Sequence, residues 1–203
     1  MQNIAILIPA AGASSRMRGR DKLLELVDGL PLLRRQAKRA IFTGAHVTVC
    51  IRHHANERAQ ALTGLPVQLV EVPDADLGMS SSLRRGVAHL PSSIEAVMIL
   101  PADMPEIDAT DLVKMSTAFY QAPVPMLYQA TSADGRTGHP VMFPRDCFAA
   151  LQQLGGDQGA RQVIEANRHR LRPVPLPDLR ALIDLDTPEA WAAWRRAQLP
   201  LPA

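Results

Sequence analysis

Four small residues, Ala10, Ala11, Gly12 and Ala13, follow an apolar run, and three arginines and a lysine crowd the positions from Arg16 to Lys22. Backbone N–H groups reach an anion only where no Cβ stands in the way, so such a turn after a buried strand suits phosphate. Arginine adds a planar, two-pronged contact to phosphate, and lysine a mobile point charge. Arg16 and Lys22 beside the bare turn therefore point to a polyphosphate, whereas Arg18 and Arg20 read as solvated side chains. A GxGxxG fingerprint is absent, since Gly12 is the turn's only glycine, and Lys22 is followed by Leu23 rather than Ser or Thr, which excludes a P-loop.

Other candidates lie further along. Asp103, in "PADMP", comes just after the apolar run 96–100. A carboxylate at a strand end suits Mg²⁺, which takes few protein oxygens and fills its shell with water and phosphate. "LIDLDTPE" carries Asp184 and Asp186 at alternate positions, which on a strand share one face. Asp186 ahead of Thr187 and Pro188 also reads as a helix start. In "GMSSSL", Gly78 permits close approach, Ser80 and Ser82 carry hydroxyls suited to a base edge or ribose, and one of the serines is expected to cap a helix. On the family resemblance given below, the attacking group is a phosphate monoester, whose second pKa of about 6 leaves it already largely ionised at neutral pH, so His139 is not needed as a general base. It reads as a residue that positions the acceptor or satisfies a loop. Arg161, at a helix start in "GDQGAR", is a candidate for the acceptor's phosphate.

The elements that must position these groups follow from hydrophobic pattern. Residues 3–9, 46–51, 67–72 and 96–100 read as strands, the first and last apolar throughout. Between them, 31–42, "NERAQAL" and "SSSLRRGVAHL" read as helices. Alternation of strand and helix predicts a mostly parallel sheet covered on both faces: an α/β, three-layer α/β/α fold with a Rossmann-like sheet. The second half is less regular. It offers helices at 108–120, 146–154 and in "GARQVIEAN", strands near 125–131, in "HPVMF", "RPVPL" and "ALIDL", and a closing helix from Thr187 whose Trp191 and Trp194 read as packing. Pro177 and the tail "LPLPA" read as breaks rather than linkers. One domain, 1–203, is expected.

Composition excludes several classes. Twenty-two basic against 20 acidic residues leave a net charge of +2, with no broad basic face for nucleic acid or an anionic membrane. Cys50 and Cys147 stand alone, without a CxxC pair, which favours a reducing compartment. The start lacks a basic signal region, and no apolar run approaches the roughly 20 residues of a membrane span. A soluble, cytoplasmic protein is the expectation.

"AAGASSRMRGRDKLL" resembles the signature of the nucleotidyltransferases of molybdenum-cofactor assembly, the MobA-like NTP transferases, whose pattern is roughly AAGxSxRMGGxxKLL. "GMSSSL", "ADMP", "GHPVMF", "GDQGAR" and "DLDTPE" follow in the family's order. Arg18 stands where the family usually has glycine, and Ala102 where glycine is common. The cytidylyltransferase branch is the more similar. The resemblance implies a GT-A-like fold, with a nucleotide half of about 1–105 and an acceptor half of about 106–203. It implies transfer of a nucleoside monophosphate, from CTP, to molybdenum-molybdopterin, with release of pyrophosphate. It makes Arg16, Lys22 and Asp103 catalytic and Asp103 and Asp186 the ligands of Mg²⁺, with Mn²⁺ an alternative. Ala10, Ala11, Gly12, Ala13, Gly78, Ser80 and Ser82 fall on the nucleotide, and His139, Arg161 and Asp184 on the acceptor. A molybdoenzyme or its chaperone is the protein partner it suggests. Rival readings are a guanylyltransferase of the same kind, a sugar- or alcohol-phosphate nucleotidyltransferase, and a non-catalytic nucleotide-binding chaperone module.

Overall fold

Residues Ile4–Ala10 form a strand, β1, that is apolar throughout because both its faces are covered. The computed structural model describes residues 3–156 and 159–198; Asp157 and Gln158 of "GDQGAR" and the "LPLPA" tail lie outside them. After β1 come the short strands β2 (Leu26–Val27) and β3 (Leu30–Pro31), α1 (Leu32–Phe42), β4 (His46–Arg52), α2 (Asn56–Ala61), β5 (Gln68–Val72), α3 (Met79–Ala88) and β6 (Ala96–Ile99). Then follow α4 (Ala109–Gln121), β7 (Leu127–Thr131), β8 (Thr137–Pro144), α5 (Phe148–Gln152), α6 (Arg161–Ala166), β9 (Leu171–Pro175) and α7 (Pro188–Ala197).

Seven strands make one sheet in the order β5-β4-β1-β6-β8-β7-β9. All neighbours pair in parallel except β8, which runs against β6 and β7. The expected mostly parallel α/β sheet is the one found. The chain leaves β1 toward β4 on one side and returns at β6 on the other, so a crevice opens beyond the carboxyl ends of β1 and β6.

Alternate residues of β1 feed two cores. Ile4, Ile6 and Ile8 pack with Leu33, Ala37, Leu112 and Met115 of α1 and α4. Ala5, Leu7 and Ala11 pack on the other face with Leu83 and Val87 of α3, Leu151 of α5 and Val163 of α6. Helix α3 lies close because Gly86 has no side chain: a Cβ there would stand 2.3 Å from Leu7 Cδ1 and 2.8 Å from Cys50 Sγ. A third, small cluster of Met17, Val27, Leu32, Leu185 and Trp191 joins the segment after β1 to α7.

Two local expectations fail. "ALIDL" is not a strand. Ala181 and Leu185 are buried, which explains the alternation, but their backbones bond singly, Ala181 O accepting from His139 N at 2.9 Å and Leu185 N donating to Asp103 O at 3.0 Å. None of the serines caps α3 either. Its N-cap is Gly78, at φ 100°, and Ser80, Ser81 and Ser82 are buried within the first turn.

Candidate functional site

Lys22 is the hub of the crevice. Its Nζ donates to Asp103 Oδ2 at 2.5 Å and to Asp186 Oδ1 at 2.6 Å. Asp103 lies just past β6, whose extension is tied to β1 by Leu100 N donating to Leu7 O at 2.9 Å. Asp186 lies on the loop before α7. That helix is capped by Thr187, whose Oγ1 accepts from Ala190 N at 3.1 Å, so the Asp186 carboxylate is spared capping and turns to the site. The bond between Leu185 N and Asp103 O draws the two aspartates together. Arg16 adds a second cation, its Nη2 2.6 Å from Asp186 Oδ2.

The charges are mutually tuned. Burial works to lower the Lys22 ammonium, but Asp103 and Asp186 outweigh it and hold it above its ordinary value. Burial works to raise Asp186, but Lys22, and then Arg16, leave it below the usual carboxylate range. Asp184 is pushed up by burial and by its neighbours Asp186 and Asp103. Lys22 thus pairs with Asp103 and Asp186, Arg16 with Asp186 alone, and Asp184 adds negative charge beside them.

A cavity of about 240 Å³ runs from this cluster along the end of β1. It is lined by Ala10, Ala11, Gly12, Lys22 and Asp103, and at the far end by Gly78, Met79 and Ser82. A Cβ on Gly12 would meet no protein atom within 4 Å, so the bare backbone faces open space rather than packing. Ala13 is exposed beyond the lining, and Ser80 does not reach it: its hydroxyl is buried without a hydrogen-bond partner.

Met79 also lines a second cavity of about 280 Å³. Its floor is apolar (Leu83, Ile99, Val141, Phe143, Ile164), and its polar groups are Gln129, His139 and Arg161. His139 and Arg161, 22 positions apart in sequence, thus meet in one place. The close fit of the His139 strand, β8, against the Ala181 backbone is set by Gly138, where a Cβ would stand 2.0 Å from Ala181 O. Desolvation by the surrounding protein holds the His139 imidazole below its ordinary value against the pull of Asp103. Asp184 stays with Asp186 and lines neither cavity.

The donor set suits a divalent cation. Asp103 Oδ2 and Asp186 Oδ1 converge on the Lys22 ammonium, and a divalent cation would find two hard oxygen ligands between them once that ammonium turns to a phosphate. Among the described residues no group of three or more His, Cys, Asp or Glu is arranged to hold a metal. Among them, too, no helix is long and apolar enough to cross a membrane.

Supporting residues escaped the sequence reading. Helix α1 grips the loop after Asp103: Gln36 donates to Met104 O, Arg35 to Pro105 O at 2.7 Å, and Arg39 to Pro105 O and Ile107 O at 2.8 and 2.5 Å. Arg58 of α2, 6% exposed, donates through Nε and Nη2 to Asp21 at 2.6 and 2.9 Å and through Nη1 to Ala10 O at 2.5 Å. Asp21 in turn accepts from Leu23 N at 3.0 Å and Ser14 Oγ at 3.1 Å. Side chains that bond distant carbonyls leave no periodic mark in sequence. The DK pair at Asp21 and Lys22 was the available signal for Asp21.

A family model described as MobA-like NTP transferase domain matches residues 6–172. The bifunctional protein GlmU of Clavibacter sepedonicus is 31% identical over 141 residues, which is 68% of this chain and 29% of that protein. A probable molybdenum cofactor guanylyltransferase of Natronomonas pharaonis is 39% identical over 105 residues, half of each chain. The chain spans between 25% and 59% of the length of the first four curated relatives it matches. Among solved structures, Rv0371c of Mycobacterium tuberculosis H37Rv superposes with a TM-score of 0.82 at 25% identity, covering 96% of both chains.

Proposed function

The chain belongs to the MobA-like NTP transferase family, and on that premise we propose that it is a nucleotidyltransferase that moves CMP from CTP to a phosphorylated acceptor of the molybdopterin type. The observation that carries this reading is the cavity in which the bare end of β1 meets Lys22 and Asp103, with a second, largely apolar cavity across Met79.

In this reading the backbone of Ala10, Ala11 and Gly12 approaches the nucleotide, and Gly78 and Ser82 face its base end. Lys22 neutralises charge that develops at the α-phosphate, and Arg16 meets the leaving pyrophosphate. An acceptor phosphate oxygen attacks the α-phosphorus in line, the bond to the β-phosphate oxygen breaks, and pyrophosphate departs; positioning and charge stabilisation do the work. Asp103 and Asp186 would hold the divalent cation, Mg²⁺ or Mn²⁺, which supplies positive charge to the phosphate oxygens. His139 and Arg161 orient the acceptor on the apolar floor, Arg161 taking its phosphate. Asp184 acts on the charge of Asp186 rather than on the acceptor. The chain works as one domain, 1–203, its nucleotide half ending near residue 105, with Asp186 the contribution of the acceptor half to the phosphate end.

The second reading puts GTP in place of CTP. The relative named as a guanylyltransferase favours it; "GMSSSL" favours CTP. Calorimetric titration of the protein with each nucleotide at fixed Mg²⁺ decides. CTP is expected to bind at least about tenfold tighter, a gap of about 1.4 kcal/mol. Equal or tighter binding of GTP replaces the cytidylyl reading with the guanylyl one.

A further inference from the structure

We propose that Arg58 is a positioning residue for the nucleotide, setting both the peptide at the end of β1 and the segment that bears Lys22; this rests on the nucleotidyltransferase reading above. Its side chain is 7% exposed, and one guanidinium serves three partners on two sides of the loop: the Asp21 carboxylate, Ser14 Oγ at 3.2 Å and the Ala10 carbonyl.

The direction of the Ala10 carbonyl is the decisive point. Along a strand, successive C=O groups point to opposite edges. Leu7 O faces β6, since it accepts from Leu100 N. The Ala10 carbonyl, three residues on, therefore points to the β4 side, where Ala10 is still in register with Ile51 and Arg58 supplies a further donor at the end of the ladder. A trans peptide sets its N–H opposite its C=O. The Ala11 N–H is thereby aimed at the β6 side, the side on which Pro101, Ala102 and Asp103 line the cavity. Arg58 thus helps hold that peptide, and with it one backbone donor, in place beside the cavity without lining the cavity itself.

Its second grip sets Lys22. Burial works to raise the Asp21 carboxyl, and Arg58 outweighs it, so Asp21 stays ionised and holds Leu23 N as well. Lys22 sits between two residues fixed by this one carboxylate. Ser14, at φ 52°, is held in its left-handed conformation by the same group.

A buried ion pair can also be a matter of stability alone, and the test separates the two. Arg58→Met with Asp21→Leu removes both charges together, which typically leaves stability near the original or above it, whereas removing one partner strands the other. The wild type, the double variant and Arg58→Lys are compared by thermal melting and by calorimetric affinity for CTP and for GTP at fixed Mg²⁺. The proposal expects the double variant to melt near the wild type yet bind the wild type's preferred nucleotide at least about tenfold more weakly. Recovery of stability together with wild-type affinity overturns it. If the double variant does not fold, Arg58→Lys decides: a lysine keeps the charge but lacks the planar fork, so a folded variant with weakened affinity supports the proposal and unchanged affinity overturns it. A wild type that binds neither nucleotide overturns the nucleotidyltransferase reading and this inference with it, whereas wild-type binding matched by the double variant removes this inference alone.

Discussion

Alanine in place of Lys22 is expected to lower kcat/KM about 10²- to 10³-fold, a loss of roughly 3 to 4 kcal/mol. Four cations stand close in sequence here, and a diffuse basic patch would make them equivalent. Their surroundings differ. The Lys22 ammonium is mostly buried and held by two carboxylates at the cavity's edge. Arg16 reaches Asp186 from a largely exposed position and is expected to cost a comparable amount through the pyrophosphate. Arg18 pairs with Glu189 and Arg20 with Glu25, on the outer side of the same segment. Alanine at either should cost under about 1 kcal/mol, the range of exposed pairs.

The Lys22 effect should be flat across neutral pH. Its raised pKa keeps its contribution fully present below the ordinary lysine value of 10.5, to be lost only as pH climbs through the folded value. The depressed Asp186 contributes above its ordinary value of 3.8, and that contribution is lost as pH falls through the lower folded value. The measurement is kcat/KM for the four single variants at fixed Mg²⁺ and salt, with melting curves to confirm folding. Equal losses at all four positions would sink the separate roles.

Asp103→Ala should go further and abolish turnover, a loss beyond about 10³-fold, together with the stabilisation that Mg²⁺ and nucleotide give in a thermal melt. Asp186→Ala should do the same. Both carboxylates flank one point, so neither replaces the other. Either change also releases one arm of Lys22. Asp103→Asn and Asp186→Asn keep an oxygen for the ammonium while removing the negative charge, and should be as inactive as the alanine variants. An Asp186→Ala protein with near-normal activity and an intact Mg²⁺ response would reduce Asp186 to a buttress for Lys22 and Arg16.

The parts legible in the sequence are those written in local pattern. Ile4–Ala10 and Ala96–Ile99 had to be inner strands, because only a strand buried on both faces is apolar at every position. Lys22 and Asp103 came from motifs beside strand ends, where fold topology gathers residues from distant stretches, and His139 and Arg161, singled out separately, line one cavity. "ALIDL" misled because it is apolar and buried at both ends as a strand could be, while its hydrogen bonds go singly to His139 on β8 and to Asp103 just past β6. The serines after Gly78 looked like caps, yet all three lie buried inside the first turn of the helix, and a glycine caps it. Nothing local marked Arg58 or the α1 side chains that hold the loop after Asp103, since their partners are carbonyls and a carboxylate dozens of residues away.

The small cluster around Trp191 has a consequence for how the protein fails on warming. The sheet rests on two large cores, but α7 is fastened by a small cluster of five buried residues, to which it contributes Trp191, and by a few surface pairs. Segments with few buried contacts open at lower free energy than the body they attach to. When α7 lifts, Leu185 leaves with it, the tether to the Asp103 backbone breaks, and Asp186 is carried out of reach of Lys22. The sheet loses nothing in that event. Heat inactivation and global melting are therefore separate transitions, with activity lost at a temperature where amides of β1 and β6 still resist hydrogen exchange and those of α7 no longer do.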